Sequence, residues 1–84
     1  MYNLEPTREF IKNLKRLSQN EQKTVARKLA LLAQNPFHPS LRTKKLQSLD
    51  NVFECSVNMD VRILWRYKNG RIILIIDVGH HDIL

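Results

Sequence analysis

Two adjacent histidines, His80 and His81, lie near the end of a chain that contains only three. Histidine suits proton transfer near neutral pH, because its unperturbed pKa is about 6.5. Arginine instead binds anionic oxygens through paired, charge-assisted hydrogen bonds. If the fold brings Arg62 beside these histidines, the group can both move a proton and stabilise developing negative charge. The simpler alternative is that the histidines end a solvated strand and have no chemical role.

The pairing of the last two strands decides which residues meet. Apolar residues predict strands over 61–68 and 71–78, and Asn69-Gly70 between them favours a two-residue type I′ turn. In that register Arg62 faces Asp77, which allows an ion pair. The face that we expect the helices to cover is made of Val61, Ile63, Trp65, Tyr67, Ile72, Leu74, Ile76 and Val78.

The turn before residues 61–68 follows from the cost of burying charge. A three-residue loop over 58–60 places Cys55 in the core, whereas a two-residue loop would bury the unpaired carboxylate of Glu54. We therefore predict the three-residue loop, which brings Asp60 next to the end of the last strand, opposite Gly79. The uncovered polar face is then expected to hold Glu54, Ser56, Arg62, Arg66 and Asp77.

Helical patterns fill the first part of the chain, after a short predicted strand at residues 1–4. Thr7 is a suitable N-cap for a first helix, and Ser18-Gln-Asn-Glu21 matches a capping box that opens a second helix. Asn35-Pro36 ends the second helix. We expect an α+β fold in a single domain, residues 1–84. In it, an N-terminal helical hairpin packs on one face of a small, mainly antiparallel twisted sheet.

The composition is that of a basic globular protein. Fourteen Lys and Arg against eight Asp and Glu give a net charge of +6, which favours a polyanionic partner such as nucleic acid or, alternatively, an acidic protein. No apolar stretch approaches the roughly 20 residues of a membrane span. The N-terminus lacks the pattern of a signal peptide. We expect a cytoplasmic protein that does not bind membranes.

The short phrases RILWRY and DVGHHDIL, which end the last two strands, carry a family resemblance. With the order helix, helix, antiparallel strands, the chain resembles the RelE/ParE superfamily of toxins from type II toxin-antitoxin pairs, and is most similar to RelE- and YafQ-like messenger-RNA interferases. This resemblance implies that His81 is the catalytic general acid, that Arg62 binds phosphate and that Asp60 is the acidic residue of the turn.

The implied reaction is attack of a ribose 2′-hydroxyl on the neighbouring phosphate, without metal or cofactor. Asp60 or Glu54 is then the base or the residue that orients the histidine. The remaining residues expected to bind substrate are Ser56, Arg66, Arg42, Lys44, Lys45 and His80. A zinc site is disfavoured because its candidate ligands lack the usual short spacing. Those candidates are His38, Cys55, His80, His81 and Asp82.

The same resemblance implies the partners. We expect a cognate antitoxin, acidic and partly disordered when free, together with messenger RNA and the ribosome. Contact with operator DNA is expected only through the antitoxin complex. Two other functions stay open at this stage: a ParE-like inhibitor of DNA gyrase, and a family member that mainly binds its antitoxin.

Overall fold

The computed structural model describes residues 1–81. Two helices pack against a five-stranded, mostly antiparallel open sheet, so the predicted α+β class is confirmed. No helix in this range is long and apolar enough to cross a membrane. The elements are β1 (Asn3–Pro6), α1 (Arg8–Leu14), α2 (Gln19–Gln34), a 3₁₀ helix (Pro39–Leu41), β2 (Lys44–Lys45), β3 (Phe53–Ser56), β4 (Val61–Tyr67) and β5 (Ile72–His80).

The strand order in the sheet is β1-β5-β4-β3-β2. β1 runs parallel to β5 and pairs only with its first half, up to Ile75, while the other neighbours are antiparallel. The strand predicted at residues 1–4 is present, but it begins two residues later, at Asn3. The edge strand that pairs with β3 is short, Lys44–Lys45.

Both helix starts follow the predicted capping. The Thr7 hydroxyl accepts a hydrogen bond from Phe10 N at 3.0 Å and donates to the carbonyl oxygen of Ile76 at 2.7 Å. At α2, Ser18 Oγ accepts from Glu21 N at 3.1 Å, and Glu21 Oε1 accepts from Ser18 N at 2.9 Å. These contacts satisfy amide groups that a helix leaves unpaired in its first turn, and Thr7 also joins α1 to the sheet.

The β3–β4 connection has the predicted three-residue loop. Ser56 pairs with Arg62 and Cys55 with Ile63, and Val57 N donates to Val61 O at 2.9 Å. Cys55 is fully buried in the core, as expected from the cost of burying a carboxylate in its place.

The predicted register between β4 and β5 is wrong. The chain reverses over residues 69–71, where Asn69 Oδ1 accepts hydrogen bonds from the backbone N of Arg71 (2.8 Å) and of Ile72 (3.0 Å). Gly70 does not have positive φ, so the turn is not type I′. Trp65 therefore faces Ile75, one residue away from the predicted Leu74.

A β-bulge then shifts the register by one more residue. Ile76 is the extra residue, so that Leu64 faces Asp77 and Arg62 faces Gly79. The buried residues of the first half of β5 are consequently Ile73 and Ile75, and the predicted core positions Ile72, Leu74 and Ile76 are only partly buried. From the bulge onward the shift is two residues, which returns each side chain to its predicted face because strand side chains alternate with period two.

The core lies between the helices and the covered face of the sheet. The helices contribute Phe10, Val25 and Leu32, the connection between them contributes Leu17, and the 3₁₀ helix contributes Leu41. Trp65 is fully buried at the centre, stacked on Phe53 with ring centroids 4.6 Å apart. The predicted packing role of Trp65 is therefore confirmed, and β4 is fixed with its polar residues on the other side.

Candidate active site

His81 and Asp60 meet where β5 ends. His81 N donates a hydrogen bond to the carbonyl oxygen of Asp60 at 2.6 Å, which continues the pairing one residue beyond His80. His81 is exposed. Since residues that face each other across a ladder project to the same side, the geometry brings an imidazole and a carboxylate out together. The predicted register places Asp60 opposite Gly79, whereas the backbone of Asp60 contacts His81 itself.

Arg62 is the next residue along the same face of β4. Its side chain is only 17% exposed, and its Nη1 donates to the carbonyl oxygens of Asn58 at 2.6 Å and Met59 at 3.1 Å. It faces Gly79, which presents no side chain that could cover it. The guanidinium is thus held against the turn that carries Asp60, on the uncovered side of the sheet.

Glu54 contacts two cations. Its Oε1 lies 3.8 Å from Arg62 Nε and 3.6 Å from Lys44 Nζ, and its side chain is 12% exposed. The carboxylate thus lies between the edge strand and the arginine, where it can fix the direction of the guanidinium.

His80, expected to bind substrate, projects to the opposite side from His81 because successive residues of a strand alternate between the two faces. It faces the buried Val61, and its Nε2 lies 3.7 Å from Glu21 Oε2 at the start of α2. The pKa of Glu21 is lowered, first by the hydrogen bond from the Ser18 backbone and to a smaller extent by the charge of His80. His80 is therefore associated with the helical layer.

Asp77 does not join Arg62, so the predicted pair between them is wrong. The bulge places Asp77 opposite Leu64, and its carboxylate accepts a hydrogen bond from Asn13 Nδ2 of α1 at 2.7 Å. The side chain is satisfied by the helix that runs beside the second half of β5.

A shallow cleft of about 330 Å³ adjoins Arg62, and we call it the basic cleft. It brings Arg42 and Ser56, both predicted to bind substrate, together with Arg62. Lys28 also lines the basic cleft. No pattern in the sequence indicates this role, because the position of Lys28 depends on how α2 packs beside the 3₁₀ helix. Arg66 is exposed opposite Leu74, and Lys45 faces Phe53 in the edge strand. The polar lining residues are Lys28, Ser40, Arg42, Ser56, Asn58 and Arg62.

The residues weighed as zinc ligands are not assembled within the described range. Across residues 1–81 no group of three His, Cys, Asp or Glu side chains is arranged to hold a metal ion. Cys55 is buried, which raises the pKa of its thiol to about 12. His38 Nδ1 accepts a hydrogen bond from Ser40 N at 3.1 Å. Asp82 lies outside the described residues.

Comparison with known proteins places these residues in a family. Among solved structures, YafQ from E. coli strain BL21(DE3) is similar with a TM-score of 0.81 at 16% identity, covering 99% of this chain and 97% of that one. A metal-bound toxin from Helicobacter pylori has a TM-score of 0.82 at 25% identity, covering 100% and 99%. The toxin–antitoxin complex RelBE from E. coli has a TM-score of 0.75 at 16% identity, covering 94% and 95%.

At the level of sequence, no curated protein matches the chain. A family model described as the ParE toxin of the type II toxin-antitoxin system parDE matches residues 4–84. Since this match spans nearly the whole chain, the protein belongs to the ParE toxin family of type II toxin-antitoxin systems, within the RelE/ParE superfamily.

Proposed function

We propose that this toxin, a single domain over residues 1–84, is an endoribonuclease that cleaves messenger RNA in the cytoplasm. The observation that carries the proposal is the meeting of His81 and Asp60 at the end of β5, on the same side of the sheet as Arg62. A proton donor, a carboxylate and a phosphate-binding cation are the groups that metal-independent cleavage of RNA requires. The likeness in fold to YafQ supports the same class.

In the proposed reaction the ribose 2′-oxygen attacks the adjacent phosphorus. The carboxylate of Asp60 accepts the hydroxyl proton as the new bond from the 2′-oxygen to phosphorus forms. Arg62 stabilises the charge on the five-coordinate phosphorane. The bond to the 5′-oxygen then breaks, and the protonated imidazole of His81 gives its proton to that oxygen. The products are a 2′,3′-cyclic phosphate and a 5′-hydroxyl end.

The ribosome is proposed to present the substrate. The cleft beside Arg62 is open and shallow, so the described residues enclose little of an RNA strand. Orienting the 2′-hydroxyl in line with the leaving oxygen accounts for a large part of such a barrier, and a strand already fixed in the decoding site supplies that orientation. Inhibition of translation follows from cleavage at that place.

An acidic antitoxin is proposed as the protein partner. A net charge of +6 favours docking of a negatively charged chain, and one of the similar structures is a toxin–antitoxin complex. Operator DNA is contacted only through this complex. If docking is electrostatic, the affinity for the antitoxin falls as the salt concentration rises.

Inhibition of DNA gyrase is the rival function, since the matching family model is described as a ParE toxin and the resemblance of the sequence leaves a ParE-like gyrase inhibitor open. A gyrase inhibitor binds a protein surface and needs no general acid. Loss of the imidazole of His81 therefore separates the two functions, provided that folding is unchanged.

The test is expression of the wild type, His81→Ala and His38→Asn without antitoxin in bacterial cells. Asn can still accept the hydrogen bond from Ser40 N, so His38→Asn removes an imidazole outside the site and serves as the matched control. We expect growth arrest and new transcript ends with the wild type and the control, and loss of both with His81→Ala. Growth arrest by His81→Ala, together with gyrase-dependent DNA breaks, would contradict the nuclease function. Circular dichroism and antitoxin binding check the fold of each variant.

A further inference from the structure

We propose that the basic cleft is a second phosphate subsite, which binds an RNA phosphodiester next to the one at Arg62. This inference rests on the proposed function, because it assumes that Arg62 holds the phosphate that is cleaved. It adds Lys28 to the residues that hold substrate and gives Arg42 a defined role.

Charge is the first support. Three cations from separate parts of the chain, Lys28, Arg42 and Arg62, line the cleft, and no acidic side chain of the described residues lines it. The nearby carboxylate of Glu54 contacts Arg62 and Lys44. Convergence of several cations on a small concave surface attracts an anion, and the hydroxyl of Ser56 can donate a further hydrogen bond to it.

The second support is that two of these residues are attached to the wall of the cleft before any ligand binds, Lys28 through its ammonium and Arg42 through its backbone. Lys28 Nζ donates to the carbonyl oxygen of Ser40 at 3.3 Å, which fixes the ammonium beside the 3₁₀ helix and leaves its other donors free for an anion. Arg42 follows the fully buried Leu41 and is anchored by its own N–H, which donates to Pro39 O at 3.2 Å.

The backbone of Arg42 is itself unusual. It has φ 50° and ψ 44°, in the left-handed region that residues with a Cβ seldom adopt. Such conformations persist where the surrounding structure requires them, often at ligand sites. Here the left-handed residue ends the 3₁₀ helix and directs the chain past the cleft.

Continuity with the candidate active site favours RNA over an acidic peptide. Arg62 lines the cleft and also faces Gly79 of β5, the strand that ends directly before His81, so one strand of RNA can contact both places. A peptide would need apolar pockets for anchoring side chains. Among residues 1–81, the apolar side chains that line the cleft are Val57, which is buried, and Met59, which is 89% exposed.

The experiment measures binding of a short single-stranded RNA whose riboses are 2′-O-methylated, so that binding is observed without cleavage. Fluorescence anisotropy over a range of salt concentrations compares the wild type with Lys28→Ala and Arg42→Asn. Asn tolerates the left-handed backbone of Arg42. The matched controls are Lys23→Ala, exposed elsewhere on α2, and Arg71→Asn in the β4–β5 turn. Each pair removes the same charge from the same residue type.

Each contact to a phosphate of single-stranded nucleic acid adds about 0.7 to the slope of log affinity against log salt concentration. We therefore expect Lys28→Ala and Arg42→Asn each to reduce the slope by about 0.7, and to weaken binding about eightfold near 50 mM salt. Both controls should keep the wild-type slope.

Equal slopes for cleft and control variants would overturn the second subsite, as would a wild type that does not bind the RNA at low salt. The subsite is also overturned if the cleft variants weaken antitoxin binding and leave RNA binding unchanged, because the cleft would then be a protein site. None of these results decides whether RNA is cut. That is decided separately by the transcript ends that the wild type and His81→Ala produce.

Discussion

Replacing Thr7 with Val should destabilise the protein measurably, because one hydroxyl has two partners. It caps α1 by accepting from Phe10 N, and it donates to the carbonyl oxygen of Ile76, the extra residue of the β5 bulge. Loss of an N-cap costs about 1 kcal/mol, and a typical hydrogen bond contributes about 1 kcal/mol more. We therefore expect the free energy of unfolding to fall by about 2 kcal/mol.

The assay is thermal and urea unfolding followed by circular dichroism. For 84 residues the entropy of unfolding is about 0.18 kcal/mol/K, so that 2 kcal/mol lowers Tm by about 11 °C. Thr7→Ser keeps both hydrogen bonds and is the matched control, expected within about 0.5 kcal/mol of the wild type. A stabilising role of the Thr7 hydroxyl is refuted if Thr7→Val unfolds like the wild type, or if Thr7→Ser is as unstable as Thr7→Val.

Three further predictions concern charged and titratable groups. Glu54→Gln removes a negative charge about 8 Å from a phosphate bound at Arg62, and at an intermediate effective dielectric the repulsion between the two is about 1 kcal/mol. We therefore expect RNA binding, measured by anisotropy, to tighten about fivefold. A fall of about a hundredfold in the cleavage rate would instead identify Glu54 as the base. Because the pKa of Glu21 is lowered, the contribution of this carboxylate to stability is complete above pH 4.5, the ordinary pKa of the group, and is lost as the pH falls through the lowered pKa. Glu21→Gln should therefore flatten the acid side of a plot of urea unfolding midpoint against pH. An unchanged acid side would refute this prediction. The pKa of the Cys55 thiol is raised to about 12, so the thiol should react with iodoacetamide at pH 8 only when the chain unfolds. Mass spectrometry measures the labelling rate with and without urea. Equal rates would contradict the burial of Cys55.

Features set by neighbouring residues could be predicted from the sequence. The caps at Thr7 and Ser18 depend on side chains that bond within the first turn of a helix. The loop over residues 58–60 could be predicted because its alternative would bury a carboxylate, and that penalty is larger than any preference of the loop itself.

The register between β4 and β5 could not be predicted in the same way. The Asn69-Gly70 pair also fits a longer turn, in which the Asn69 side chain caps two amides and glycine needs no positive φ. At the bulge, the carbonyl oxygen of Ile76 accepts a hydrogen bond from a residue distant in sequence, the hydroxyl of Thr7, and local patterns do not reveal such a contact.

Each of these two differences shifts the pairing by one residue, and together they restore the predicted faces. This is why His81 and Arg62 are on the expected side although the register is wrong. Between the turn and the bulge the faces are inverted, so that the predicted core residue Leu74 is only partly buried. Asp77, at the bulge itself, binds Asn13 of α1 in place of Arg62, a contact that strand pairing alone does not reveal.

The chemistry of the cut RNA ends tests the central claim most directly. Total RNA from cells expressing the toxin is ligated to adaptors before and after treatment with polynucleotide kinase, which phosphorylates 5′-hydroxyl ends and removes 2′,3′-cyclic phosphates. Attack by a ribose 2′-hydroxyl, with His81 as the proton donor, predicts new ends that become ligatable only after this treatment and that are missing with His81→Ala. New ends that carry a 5′-phosphate and a 3′-hydroxyl, ligatable without treatment, would contradict this account of how the protein acts.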